Sequence, residues 1–257
     1  MMKRYNLKYC CDDVSVFPSS TLINHDNNKF SEYFGLTAIS TYQLKNKEPN
    51  EEPKKKGKIY LFGLNQNIKD DDNNNCEIDY YLEYKKNINF HNGVLQSNYI
   101  FTNDKLYLGS VCVNGFYLSD LKEETYEKLL ETSKEKNNSG LSFEAFDNKP
   151  EYDNNIRIFD LRNIREPIQT VDVNSNIWRI KFLYKNNSVD NLLVAACDGG
   201  AKIFKKSNND FIYDKGIFNN NELTYGIDVI DMLRPKNEKK KIYLSCSFYN
   251  KEVQLWD

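Results

Sequence analysis

The chain has 257 residues, with 35 Lys+Arg against 37 Asp+Glu and a formal net charge of -2. That balance gives no electrostatic reason to expect nucleic acid or an anionic membrane as a partner. The length suffices for one all-β domain with its own core, and 18 Tyr with 15 Phe suit pleated strands.

In chain order, Tyr5–Cys10 reads as a strand, followed by Asp13-Val-Ser-Val-Phe17. Thr41–Leu44 comes next, then a polar insertion over 45–58, then the strand Gly57–Phe62. Gly93-Val-Leu-Gln-Ser97 has the same character as Asp13–Phe17, and both lie ahead of apolar strands. Asn176-Ile-Trp-Arg-Ile180 and Thr224-Tyr-Gly-Ile-Asp228 repeat it, ahead of strands at Asn191–Cys197 and Ile242–Ser247. A second repeat is a turn followed by period-two alternation. It covers Val111–Asp120, Glu151–Asp160, Ala196–Phe204 and Ser247–Asp257. Each copy has Asp, Asn or Gly where a tight hairpin needs positive φ. The last copy ends in a literal Trp256-Asp257. Repeated short strands of this kind predict a WD-repeat β-propeller over 1–257, with the Asp13, Gly93, Asn176 and Thr224 segments as innermost strands. The chain stops at a third strand, so Tyr5–Cys10 is expected to fill the place beside Trp256-Asp257 and close the ring. A second polar, poorly ordered insertion is expected over 121–150.

The six cysteines, Cys10, Cys11, Cys76, Cys112, Cys197 and Cys246, form no C-x-x-C pair and read as reduced thiols of a cytoplasmic protein. Two scattered histidines, His25 and His91, read as surface loop residues and offer no metal site. No apolar run approaches a membrane span, and no signal peptide is expected. The G-x-S-x-G elbow, G-x-G-x-x-G and the Walker loop are all missing, so no motif marks an enzyme.

The C-terminal third carries a more specific pattern. Ile156-Arg-Ile-Phe-Asp-Leu-Arg-Asn163, Glu166-Pro167, Ile177-Trp-Arg-Ile-Lys-Phe182, Leu192–Cys197, Lys202-Ile203, Tyr225-Gly-Ile-Asp228, Ser245-Cys-Ser-Phe-Tyr249 and Leu255-Trp256 together resemble the diphthine methyl ester hydrolases. These WD-repeat proteins are also called diphthine methyltransferases. Thr41-Tyr-Gln-Leu44 and Gly57–Phe62 resemble the family more loosely. The family is expected to form seven blades. This chain is shortened in the middle, around Leu121–Pro150, and about four to five blades are expected. The resemblance implies hydrolysis of the methyl ester of methylated diphthine on translation elongation factor two, in diphthamide biosynthesis, with no cofactor.

The substrate implied carries a trimethylammonium group, which aromatic faces and nearby carboxylates hold. Trp178, Tyr225, Phe248 and Tyr249 are the aromatic candidates. Asp228 is the candidate base or cation partner, and Arg179 lies beside them on the inner strands. The blander readings are a packed core for the aromatics and a structural ion pair of Arg179 with Asp228 or another acid. Cys246 and Ser247 read as buried small residues, as does Cys197 at the matching position. The alternative function is a non-catalytic interaction scaffold. The protein is expected to be monomeric unless an incomplete ring associates with itself.

Overall fold

A computed structural model describes residues 2–18, 33–44, 55–70, 76–102, 105–121, 125–131, 154–159, 165–185, 188–208, 210–218, 223–233 and 239–257. The strands run β1 (Met2–Asn6), β2 (Cys10–Pro18), β3 (Gly35–Leu44), β4 (Lys55–Asp70), β5 (Cys76–Phe90), β6 (Val94–Thr102), β7 (Lys105–Cys112), β8 (Gly115–Asp120) and β9 (Thr125–Glu131). They continue as β10 (Asn155–Ile158), β11 (Gln169–Asp172), β12 (Arg179–Lys185), β13 (Ser188–Ala195), β14 (Ala201–Ser207), β15 (Asp210–Ile217), β16 (Thr224–Leu233), β17 (Lys239–Ser247) and β18 (Glu252–Trp256). No helix among the described residues is long and apolar enough to cross a membrane.

Consecutive antiparallel strands form the sheets β2-β3-β4-β5, β6-β7-β8-β9 and β12-β13-β14-β15. A fourth sheet has the order β1-β18-β17-β16, and β10 pairs with β11 alone among the described strands. The sheets stack face to face through four cores. Val171 and Ile156 of the two-stranded sheet meet Leu192, Val194 and Phe204. The opposite face of that second sheet, through Leu193 and Ile203, meets Ile227, Tyr243 and Trp256. Leu244 and Leu255 then meet Val14, Ile39 and Phe62. Ile59 and Leu61 finally meet Val94, Leu106 and Leu108. This is the incomplete β-propeller expected: four full blades and the outer half of a fifth among the described residues.

The seam falls earlier than expected. β1 is Met2–Asn6 and pairs Met2 with Trp256 through Asn6 with Glu252, whereas Cys10 already begins β2 opposite Tyr42. The sequence Met-Lys-Arg-Tyr-Asn is a polar edge strand with little apolar alternation, so its period was hidden. Tyr5 packs on the core and its hydroxyl accepts from the Leu82 N–H at 2.9 Å, while the Lys3 ammonium pairs with Asp79 at 2.7 Å. The polar segments also need correction. Lys55–Lys58 belong to β4, and Thr125–Glu131 form β9. The rest of 45–58, residues 122–124 and 132–150, and His25 lie outside the described residues.

The hairpin turns meet the expected positive φ at neighbouring residues. Cys197 and Gly200 take it between β13 and β14, and Lys251 between β17 and β18. At the first strands the limit is proximity. A Cβ on Gly226 of β16 would stand 2.7 Å from Cys246 Sγ and 2.8 Å from the Val14 nitrogen. Since Val14 belongs to the next sheet, Gly226 sets how closely two blades approach. Gly226→Ala is expected to cost about 1–3 kcal/mol through this overpacking. Urea unfolding should show a lower midpoint at unchanged slope. An unmoved midpoint would refute the argument.

Candidate functional site

The first strands β2, β6, β12 and β16 gather about one axis, as assigned from the repeat. Polar bonds tie them together. The Lys181 ammonium donates to the Val14 carbonyl at 2.8 Å and to Asp228 Oδ2 at 3.1 Å. The Val16 N–H donates to the same carboxylate at 2.8 Å. Arg179 Nη2 donates to the Leu95 carbonyl at 3.4 Å, linking β12 to the start of β6.

Three of these strands, β2, β6 and β16, begin with the same irregularity. Register shifts fall between Cys11 and Asp13, between Val94 and Gln96, and between Thr224 and Gly226. The extra residues are therefore Asp12, Leu95 and Tyr225. In the fourth sheet of the series, Trp178 donates its N–H to the Ala195 carbonyl at 2.9 Å while Arg179 is the register partner of Ala195. Trp178 thus holds the matching position. A bulge bends a strand and re-aims one side chain. Here it gives one residue per blade, Asp12, Leu95, Trp178 and Tyr225, at one mouth of the axis.

Aromatic rings fill that mouth. Trp178 stacks on Tyr225 with centroids 4.2 Å apart and planes at 13°. Tyr225 and Phe248 lie 4.9 Å apart, and Phe248 and Tyr249 meet edge-on at 5.1 Å. Tyr42 of β3 adds a further ring, 4.9 Å from Phe248. Phe248 is buried, whereas Trp178 is 43% exposed and Tyr249 66%. The four predicted aromatics are brought into one cluster. Tyr42 was missed because nothing in Thr41-Tyr-Gln-Leu44 distinguishes a mouth residue from an ordinary strand tyrosine.

Below and beside the rings lies a buried charge group. Arg179 forms an ion pair with Asp13, and Asp12 Oδ2 is 3.8 Å from its Nη2. Asp12 is 3% exposed, and its Oδ1 accepts no hydrogen bond from any described residue. Burial pushes the Asp12 carboxyl up to about 7, against the lowering pull of Arg179 and with a further push from Asp13. Burial works against the Arg179 cation, but Asp13 and Asp12 outweigh it and hold the charge more firmly than usual. Tyr225 is pushed up to about 12, first by burial and then by the neighbouring Cys197, Tyr249, Tyr42 and Asp12. The acids paired with Arg179 are thus Asp12 and Asp13. Both were missed. The acid pair stands in the sequence, but the bulge that aims Asp12 at the mouth is read only from the strand register.

Asp228 lies deeper. It is three residues past Tyr225, or about 10 Å along an extended strand. Its Oδ2 takes Val16 and Lys181, and its Oδ1 takes the Val229 N–H at 2.9 Å. Cys246 and Cys197 are buried, and burial pushes both thiols upward, Cys197 to about 11. Neither is a thiolate at neutral pH, which fits a packing role. His91 is exposed on the turn before β6. Among the described residues no group of three or more metal-ligating side chains comes together.

A protein of Dictyostelium discoideum named diphthine methyltransferase homolog is 31% identical over 114 residues, which is 41% of this chain and 30% of that protein. The diphthine methyltransferase of Schizosaccharomyces pombe is 27% identical over 110 residues, 42% of this chain and 32% of the relative. Part of this chain resembles diphthine methyltransferases. The family resemblance expected from the sequence thus has independent support over part of the chain. The matched stretch spans about a third of each relative's length. No family model matches the chain.

Proposed function

We propose that the aromatic mouth binds the trimethylammonium side chain of methylated diphthine on elongation factor two and that the protein hydrolyses its methyl ester, releasing methanol, in the cytoplasm. The observation that carries this reading is the Trp178–Tyr225–Phe248 stack, joined by Tyr42 and Tyr249, beside the buried carboxyl of Asp12. A quaternary ammonium cannot donate hydrogen bonds, so ring faces with a carboxyl group nearby are its natural recognition chemistry. Ester hydrolysis further needs a base for water, and Asp228 is the candidate taken from the sequence. Using Asp228 would require Lys181 to release it.

The test is methanol release from methylated elongation factor two with the purified full chain. Release is expected, and its complete absence from folded protein refutes the reading. Trp178→Ala should raise KM about 3–30-fold with little change in kcat, as one cation–π face contributes about 0.5–2 kcal/mol. An unchanged KM would remove Trp178 from the site. Asp228→Asn should lower turnover if Asp228 is the base.

A second reading is favoured by the exposure of Trp178 and Tyr249 at 43% and 66%. Exposed aromatics at a propeller mouth also suit a non-catalytic platform that docks a partner protein. Stable, stoichiometric binding of the elongation factor without methanol release would select it.

A further inference from the structure

We propose that Asp12, rather than Asp228, is the general base of this mouth, with Arg179 as the residue that positions it. The inference rests on the esterase reading above and assigns its proton transfer. Three independent observations carry it. Asp12 occupies the bulge position of β2, the same position that Trp178 and Tyr225 occupy on their strands, so it faces the mouth at the aromatic level. Its Oδ1 is buried without a hydrogen-bond partner among the described residues, although a buried carboxylate oxygen normally has one. Asp228, in contrast, has both oxygens engaged and sits deeper on the axis.

Among the described residues around this site, Asp12 is the poised carboxyl. Cys11 and Asp13 face it from β2, Tyr42 from β3, Arg179 from β12, Tyr225 from β16 and Cys246 from β17. Burial raises the two thiols and the two phenols, so these stay neutral at pH 7. Arg179 is committed to Asp13 and lies farther from Asp12, at 3.8 Å. Burial holds Asp12 at about 7, where a base is both ionised and able to take a proton.

In the step itself, the water oxygen bonds to the ester carbonyl carbon and one water proton passes to Asp12 Oδ1. The bond from that carbon to the methoxy oxygen then breaks, and the same proton moves to the departing oxygen. The products are the carboxylic acid and methanol, and Asp12 ends as it began. No oxidant, reductant or metal enters the balance.

The experiment measures methanol release from methylated elongation factor two across pH 5 to 9, with wild type, Asp12→Asn, Asp12→Glu and Asp228→Asn. Asp12→Asn is expected to lose about 10²–10⁴-fold in kcat with KM within threefold. Wild-type kcat/KM should rise through a limb near pH 7, the value to which Asp12 is raised. Asp228→Asn should keep that limb even if its rate falls. Asp12→Glu should keep a limb at a shifted midpoint, which decides the matter if Asp12→Asn fails to fold. An Asp12→Asn enzyme within tenfold of wild type overturns the assignment and leaves the esterase reading standing. So does a wild-type limb near pH 4. A folded wild type that releases no methanol overturns both.

Discussion

Replacing Arg179 by methionine will lower the stability of the protein by about 3–5 kcal/mol, because it leaves two buried carboxyls facing each other without a cation. Asp12 and Asp13 are 3% and 0% exposed, and Arg179 is the cation that pairs with both. The loss exceeds what a surface ion pair could cause, which is at most about 1 kcal/mol. It also exceeds the loss of the guanidinium's hydrogen bond to Leu95. For a domain of this size the melting temperature should fall by about 10 °C. The charge argument has its own control. Adding Asp12→Asn and Asp13→Asn to Arg179→Met should recover much of the loss, since no uncompensated charge then remains. If the triple variant is no more stable than Arg179→Met alone, packing and not charge explains the effect.

The stability of the wild type should also fall as pH rises from about 4 to about 7 through Asp12 alone. Its carboxyl is raised from 3.8 in the unfolded chain to about 7 in the fold, mainly by burial. Between those two values the folded protein holds a proton that the unfolded chain has released, so acid favours the fold. The contribution is fully present below the lower value and fully lost above the upper one. A shift of this size corresponds to on the order of 4 kcal/mol. Other groups add their own slopes, so the difference between wild type and Asp12→Asn is the useful quantity. Urea unfolding at pH 4.5, 5.5, 6.5 and 7.5 should show wild type losing ground to Asp12→Asn at each step. A difference that stays constant across this range would show that Asp12 is ionised normally in the fold.

The blades were legible because their strands alternate and their turns carry Asn and Gly. Val111–Asp120 and Ser247–Asp257 read as hairpins, and both are. Their positive φ was harder to place, since Lys251 rather than Asn250 adopts it in the last turn. The seam strand was displaced by a few residues because an edge strand needs no apolar period. The aromatic half of the site was legible, since Trp178, Tyr225, Phe248 and Tyr249 are large, and the resemblance marks them. Its charged half was not. A bulge leaves no compositional trace, and Cys11-Asp-Asp-Val14 reads as ordinary polar sequence until the register is known. Asp228 drew attention because it follows the Tyr-Gly-Ile string, but strand geometry carries it away from Tyr225.

Met2 pairs in register with Trp256, so β1 joins a strand made much later in the chain. At ribosomal rates of about 5–20 residues per second, β1 must wait roughly 10–50 s for its partner to emerge. Until then β18's place beside it is empty, and β1 is a free edge tethered to an already folded β2-β3-β4-β5 sheet. The β-sheet that holds Tyr225 and the Gly226 contact is thus completed only after the other three four-stranded sheets have been made. Whatever chemistry the mouth performs waits on β18, and a chain that stalls before β18 emerges lacks the completed sheet.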